Sequence, residues 1–367
     1  VILRINPTRS MNSKFTILLV LSILSVSALS RPIEHFFNKS SGLPSFDEMF
    51  SFYQEWYGKH GGKDTVNNAE RFQIFSENAL KVIRHNQNPN RTYDQAINFF
   101  TGRTLEEVKS RTLMQPQNCT LDSKPLKTST GKAGDASFFD WRDTHKVTPI
   151  RHQRKCGAGY SFAAVAAVET HWAIRTDTTA VLSSEQHLVD CGTNYGNQGC
   201  SGGLPHSSFE YLSSVGGLIH EAAYPFESID VNQCRFAAQN VYARVFNGSV
   251  NITAGDELAL YNVVNSTGPV AVGFDVSDDL FAYGGGVYTS TACRNDTRIV
   301  NHVAAVVGYG FDAPKNLSYW IVKNSWGPNW GEEGYFRIAR GSNMCSISNC
   351  AAYPNMNYTN PITSSHQ

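Results

Sequence analysis

The sequence has no excess charge of either sign: Lys plus Arg and Asp plus Glu each number 31 in 367 residues, and the formal net charge at pH 7 is zero. The basic surface that marks a binder of nucleic acid or anionic membrane is therefore missing, and a peptide or protein is the default partner. No stretch approaches the roughly 18 consecutive apolar residues of a membrane-spanning helix, so no membrane span is expected. Internal repeats and low-complexity segments are absent, and no metal or nucleotide motif stands out, so no metal site and no cofactor are expected. The run Gly284-Gly285-Gly286 follows no strand-to-helix phosphate pattern and reads as a turn. A composition of 41% hydrophobic and 12% aromatic residues is ample for a packed core and excludes a disordered chain. The length suggests about two domains.

Met11, Lys14, the apolar run from Phe15 to Val26 and the small residues Ser27-Ala28-Leu29-Ser30 together read as a secretory signal over residues 11–30. Val1 to Ser10, upstream of the methionine, are expected to lie outside the native protein. Acceptor triplets for N-glycosylation begin at Asn38, Asn90, Asn118, Asn247, Asn251, Asn265, Asn295, Asn316 and Asn357. In a signal-bearing chain they point to a glycosylated product of the secretory pathway, extracellular or lysosomal. In that oxidising compartment the eight cysteines are expected to pair. A monomer is expected.

Between Ser45 and Asn86 apolar residues recur at helical intervals: Phe46, Met49, Phe50, Tyr53 and Trp56, then Phe72, Phe75, Leu80, Val82 and Ile83. Two amphipathic helices follow from that spacing. Within the second, Arg71, Phe75, Asn78, Val82 and Asn86 are spaced four, three, four and four. This resembles the ERFNIN pattern in the inhibitory propeptides of cathepsin L-like relatives of papain. Asn67 replaces the initial Glu of that pattern, and the GxNxFxD pattern that follows it survives only as Ala96, Asn98, Phe100 and Gly102. After Arg111 a polar stretch through Gly134 shows little periodicity and fits a propeptide tail and linker.

From Phe138 onward the resemblance to the papain family of cysteine proteases covers nearly all of the remaining chain. Phe139-Asp140-Trp141-Arg142 matches the start of the mature domain. Leu182-Ser183-Ser184-Glu185-Gln186, Gly199-Cys200-Ser201-Gly202-Gly203 and Tyr224-Pro225-Phe226 are further landmarks. Ser161 to Ile174, rich in Ala, Val and Phe without Gly or Pro, suits a buried helix starting just after Gly159. Val270 to Phe274, Val303 to Tyr309 and Tyr319 to Lys323 read as strands. The resemblance implies an α+β, two-lobed papain-like fold, with a helical lobe, a β-barrel-like lobe and a cleft between them. It also implies a propeptide over residues 31–133, helical over 45–110, and a peptidase domain over 134–367.

Cys156-Gly157-Ala158-Gly159-Tyr160 matches four of the five positions of the Cys-Gly-(Ser/Ala)-Cys-(Trp/Tyr) signature around the family's nucleophile, and Gly159 stands where the attacking cysteine belongs. The chemistry needs a thiolate at a helix N-terminus, a histidine to move its proton, a group to orient that histidine and donors for the oxyanion. By resemblance, His302 is the general base, Asn324 the amide that orients it, Trp326 the indole that shields it and Gln153 the oxyanion-hole side chain. Gly202 and Gly203 correspond to the backbone edge that pairs with an extended substrate. Leu204, Pro205, Gly273 and Val303 correspond to the walls of an apolar specificity pocket. The less usual of the allowed residues at Ala158 and Tyr160, and Ser161 where the family usually has Ala, accompany the glycine and set it apart from a lone codon change. A water activated by His302 in the vacated space is the residual chemistry to consider.

The resemblance also implies disulfides from Cys156 to Cys200, Cys191 to Cys234 and Cys293 to Cys345, which argues against Cys156 as the nucleophile. Cys350 falls near the floor of the specificity pocket, and Cys119 lies in or just beyond the propeptide stretch that crosses the cleft in this family. The two are expected either to bridge, tying the propeptide into the cleft, or to remain free or externally paired. Three functional readings compete. The first is an inactive family member that keeps a peptide-binding cleft, with its own propeptide as one candidate ligand. The second is an active cathepsin L-type cysteine endopeptidase, and the third is a propeptide-like inhibitor of related proteases.

Overall fold

The computed structural model of the chain describes residues 43–61, 68–120, 138–230 and 233–357. The signal-like segment 11–30, residues 1–10, Asn38, Asn67 and the boundary at 133/134 lie outside the described residues. The contacts divide the chain into two compact units. One runs to Pro89 and takes in Ile97–Thr104; the other comprises Asn90–Ala96 and everything from Leu105 onward.

The first unit holds the two expected helices, Phe46–His60 and Asn68–Gln87. Ser45 starts the first through a reciprocal cap: its hydroxyl accepts from the Glu48 N–H at 3.3 Å, and the Glu48 carboxylate accepts from the Ser45 N–H at 2.9 Å. The apolar faces meet in an aromatic core, with Phe50 and Tyr53 each 5.3 Å from Phe72 and Trp56 5.6 Å from Phe75. Polar members of the patterned positions serve the Ile97–Thr104 segment, whose buried carbonyls need donors. The Arg71 guanidinium donates to the Gly102 carbonyl at 2.6 Å, Asn78 donates to those of Thr101 and Arg103, and the Trp56 indole donates to that of Asn98 at 2.7 Å. Gly102 lies directly against the Trp56 ring, where a Cβ would come within 2.2 Å of it.

The second unit is built around the buried helix Gly159–Thr176, which begins on the glycine itself. A nine-stranded sheet runs, in spatial order, Tyr93–Gln95, Tyr283–Tyr288, Tyr335–Ala339, Leu317–Lys323, His302–Asp312, Val270–Phe274, Cys350–Pro354 and Ser249–Asn251, with Phe139–Asp140 pairing His302–Asp312 off this path. Val270–Phe274 and His302–Gly310 are buried without interruption, because helices and loops cover both faces of the central strands.

Two expectations are corrected. Gly284-Gly285-Gly286 is not a turn but the middle of the strand Tyr283–Tyr288, which pairs with Tyr93–Gln95. Glycine is required there by close backbone approach, since a Cβ on Gly286 would stand 2.8 Å from the Thr92 carbonyl oxygen and one on Gly284 2.8 Å from the Ala96 Cβ. The stretch after Arg111 is not wholly irregular either: helix Leu105–Thr112 runs past residue 110, and Gln117–Asn118 forms a short antiparallel pair with Ile299–Val300. That strand has no periodicity of its own because the edge it joins supplies its ladder.

Replacing Trp56 by Ala is expected to lower the stability of the first unit by about 3–5 kcal/mol, and Gly102→Ala by about 1–3 kcal/mol through overpacking. Hydrogen exchange of the helices Phe46–His60 and Asn68–Gln87 in the full chain reads both effects.

Candidate active site

Three neighbouring backbone features converge on one point. The helix Gly159–Thr176 presents its N-terminus there, the strand His302–Asp312 begins there, and Asn324 follows the end of the adjacent antiparallel strand Leu317–Lys323. Lys323 fastens that strand end, its buried ammonium donating to the Thr148 carbonyl and hydroxyl oxygens at 2.8 Å each, while the Thr148 hydroxyl donates to Glu169 on the helix at 2.6 Å.

His302 is 1% exposed, and its Nε2 lies 2.9 Å from Asn324 Oδ1. The Ser325 N–H donates to the same oxygen at 2.8 Å, so the amide turns its acceptor toward the ring. This hydrogen-bond network assigns the imidazole proton to Nε2 and leaves the lone pair on Nδ1. Trp326 stands over the ring at 5.0 Å between centroids, with Phe274 on it edge-on at 5.7 Å.

The ring faces Gly159 closely. A Cβ on that glycine would lie 2.6 Å from His302 Cε1, 2.7 Å from Nδ1 and 2.8 Å from the Val303 carbonyl oxygen. The imidazole thus fills the place from which a side chain would emerge. Burial pushes the imidazole down to about 4 against the opposing pull of the Asn324 hydrogen bond. The positive end of the helix dipole acts in the same direction.

Gln153 is wholly buried and fully engaged. Its amide nitrogen donates to the Thr112 and Cys156 carbonyl oxygens at 2.7 Å each, and its amide oxygen accepts from the Ser325 hydroxyl at 2.6 Å. The Thr112 contact belongs to a strap, residues 112–120, that lies along the site. The Met114 N–H donates to the Asn301 carbonyl at 3.0 Å, that of Gln115 to Ser201 at 2.9 Å and that of Cys119 to Arg298 at 2.9 Å. Met114 rests on Gly202, where a Cβ would meet its own Cβ at 2.5 Å.

The expected binding residues are brought together in part. Gly202 is the floor beneath the strap, but the backbone bond on that side comes from Ser201. Gly203 is held to glycine by Tyr160 and Asn197, each within 2.8 Å of its Cβ position. Leu204, Val303, Cys119 and Cys350 share one apolar cluster, and Gly273 pairs in register with Cys350. Pro205 is buried as the first residue of the helix Pro205–Val215.

All eight cysteines are in disulfides: Cys156–Cys200, Cys191–Cys234, Cys293–Cys345 and Cys119–Cys350, the last with Cα atoms 5.8 Å apart. The contributions of Ser325 and Thr112 were not foreseen. Ser325 sits inside a motif read for its neighbours, and a backbone carbonyl such as that of Thr112 leaves no mark in side-chain identity.

Residues 136–355 match the papain family cysteine protease domain. The chain belongs to the papain family of cysteine proteases. Residues 51–108 match the cathepsin propeptide inhibitor domain. Among relatives of the papain family, pro-cathepsin H of Mus musculus is 40% identical over 312 residues, covering 84% of this chain and 90% of its own length. The thiol protease aleurain of Arabidopsis thaliana is 37% identical over 336 residues, 90% of each chain. Among solved structures, digestive procathepsin L 3 of Tenebrio molitor larval midgut superposes with a TM-score of 0.75 at 33% identity, covering 85% of this chain and all of that one. The fold is the papain-like fold with a helical propeptide region.

The charge state of His302 sets a pH dependence. Because its folded value lies below the ordinary 6.5, it contributes stability that is complete above about 6.5 and is lost as the pH falls through about 4. NMR titration is expected to find the ring neutral until about pH 4. Replacing His302 by Leu is expected to shrink the loss of unfolding free energy between pH 7 and pH 4 by about 3 kcal/mol, while His171 and His187, also pushed down by burial, go on contributing in the same direction.

Proposed function

We propose that this chain is a catalytically silent member of the papain family whose cleft persists as a site for an extended peptide, with its own residues 112–120 as the resident occupant. The observation that carries the reading is Gly159 at the helix N-terminus, facing the lone pair of His302 where the family's attacking thiolate would stand. No other cysteine is available to replace it, since all eight are bridged and Cys156 is tied to Cys200. Loss of the nucleophile alone costs on the order of 10⁶ in turnover, or about 8 kcal/mol of barrier. Extended-peptide capture by main-chain pairing needs no nucleophile, and the bonds that the strap N–H groups of Met114, Gln115 and Cys119 donate to the carbonyls of Asn301, Ser201 and Arg298 are of that kind. In this reading Gly202, Leu204, Gly273, Val303 and Cys350 form the binding surface.

The secretory pathway, extracellular or lysosomal, is the proposed location. Four disulfides agree with it, as does the exposure of the acceptor residues Asn90, Asn118, Asn247, Asn265, Asn295, Asn316 and Asn357; Asn251 is half-buried.

Two other readings each have an observation in their favour. Retention of the Gln153, His302, Asn324 and Trp326 cluster favours an active cysteine endopeptidase. The propeptide inhibitor domain match over residues 51–108 favours inhibition of related proteases.

An irreversible epoxide or vinyl-sulfone probe of cysteine proteases separates the first two. After removal of the propeptide the wild-type chain is expected to stay unlabelled and to show no thiol-dependent peptidase activity, and labelling of the processed chain would sink the proposal. Gly159→Cys is expected to acquire labelling at a stability cost of about 1–3 kcal/mol, because its Cβ must displace the His302 ring. Inhibition of an active relative by the full chain would favour the third reading.

A further inference from the structure

The strap is held mainly through its backbone, which reads no side-chain identity. The bonds of Met114, Gln115 and Cys119, the pairing of Gln117 and Asn118 with Val300 and Ile299, and the contact of the Thr112 carbonyl with Gln153 would form with many sequences. One strap side chain is singled out covalently. Cys119 reaches Cys350, which lies opposite Gly273 in the strand Cys350–Pro354; a Cβ on that glycine would stand 3.1 Å from the Cys350 sulfur and 3.2 Å from a Val300 methyl. Both cysteines are within 1% of complete burial, in a cluster with Val300, Val303 and Met114.

We propose that Cys350 makes this cleft an exchangeable covalent docking site for extended peptides that carry a cysteine in the place of Cys119. The inference rests on the reading of the cleft as a peptide site and adds the class of ligand. The step is a thiol–disulfide exchange: the thiolate of the incoming peptide attacks the Cys350 sulfur, the bond to Cys119 breaks, and Cys119 leaves as a thiolate that takes up a proton. One disulfide and one thiol are consumed and one of each is formed, so no oxidant or reductant is required. Because both sulfurs are buried, exchange waits on lifting of the strap, whose backbone hydrogen bonds each contribute about 0.5–1.5 kcal/mol. The covalent tether gives the resident strap a high effective concentration, so replacement favours an excess of the incoming peptide or a chain without Cys119.

The test uses the full chain carrying Cys119→Ser, with Cys119→Ala as a second variant and circular dichroism to verify folding. A labelled peptide of the sequence Leu113–Thr120, its cysteine activated as a thiopyridyl disulfide, is the probe. It is expected to form one adduct per chain at Cys350, located by tandem mass spectrometry, about tenfold or more faster than the same peptide with its cysteine moved to the first position, because the backbone contacts then hold the sulfur away from Cys350. Absence of the adduct in folded variants, or equal rates for the peptide and its form with the cysteine moved, overturns the proposal. Anisotropy with the serine analogue of the peptide is measured in parallel. Binding of that analogue without an adduct leaves the peptide-site reading standing and removes only the exchange. Loss of both removes the two together.

Discussion

The His302 ring lies against the α-carbon of Gly159, at a separation that leaves no room for a Cβ between them, and the electrostatics of the site follow from this contact. A helix N-terminus carries a partial positive charge, and in cysteine-protease chemistry a thiolate placed there pairs with an imidazolium. With glycine at position 159 no anion sits there, and only the Asn324 hydrogen bond opposes the cost of a buried cation beside a positive helix end. Burial and the dipole then act in one direction, and the ring stays neutral with its proton on the Asn324 side. An acceptor lone pair at Nδ1 and a glycine without bulk let the ring close on the helix.

The same closure explains how the strap comes to be part of the core. Gln153 has its donor and acceptor capacity filled by Thr112, Cys156 and Ser325. Lifting residues 112–120 removes one of those partners and strips the Asn301, Ser201 and Arg298 carbonyls of theirs. It also uncovers Met114 and Cys119, both buried apolar side chains of the second unit. The strap is thus coupled to the site by hydrogen-bond satisfaction, apolar burial and a covalent bond at once.

Much of this was legible in residue identity. The helical spacing of Phe46 to Ile83, the strands around Val270, Val303 and Tyr319, and the convergence of His302, Asn324 and Gln153 are carried by side chains whose type and interval reflect their burial or chemistry. What escaped was carried by backbone. Gly284-Gly285-Gly286 looked like a turn because glycine marks both turns and close approaches, and only the neighbouring Thr92 and Tyr93 distinguish them. The pairing of Gln117 with Val300 depends on an edge more than 180 residues away. The position of the His302 ring depends on an atom that is absent, so composition and motif cannot foretell whether a gap remains or closes.

Retention of the His302, Asn324 and Trp326 cluster is weak ground for inferring catalysis, because packing alone is enough to hold it. Asn324 Oδ1 accepts from both His302 and Ser325, so a residue without that oxygen strands two buried donors. His302 is wedged between Trp326 and Phe274, and Trp326 is itself packed against Trp330 at 4.7 Å and Phe281 at 5.2 Å. Replacing any member opens a cavity or leaves a polar group unpaired in the interior, at a cost of a few kcal/mol whether or not a substrate is ever cleaved. Position 159 carries no such structural penalty as glycine: with the ring where it is, any larger residue must push it aside. The residue that packing leaves least free to vary toward a nucleophile is therefore the one that the chemistry requires.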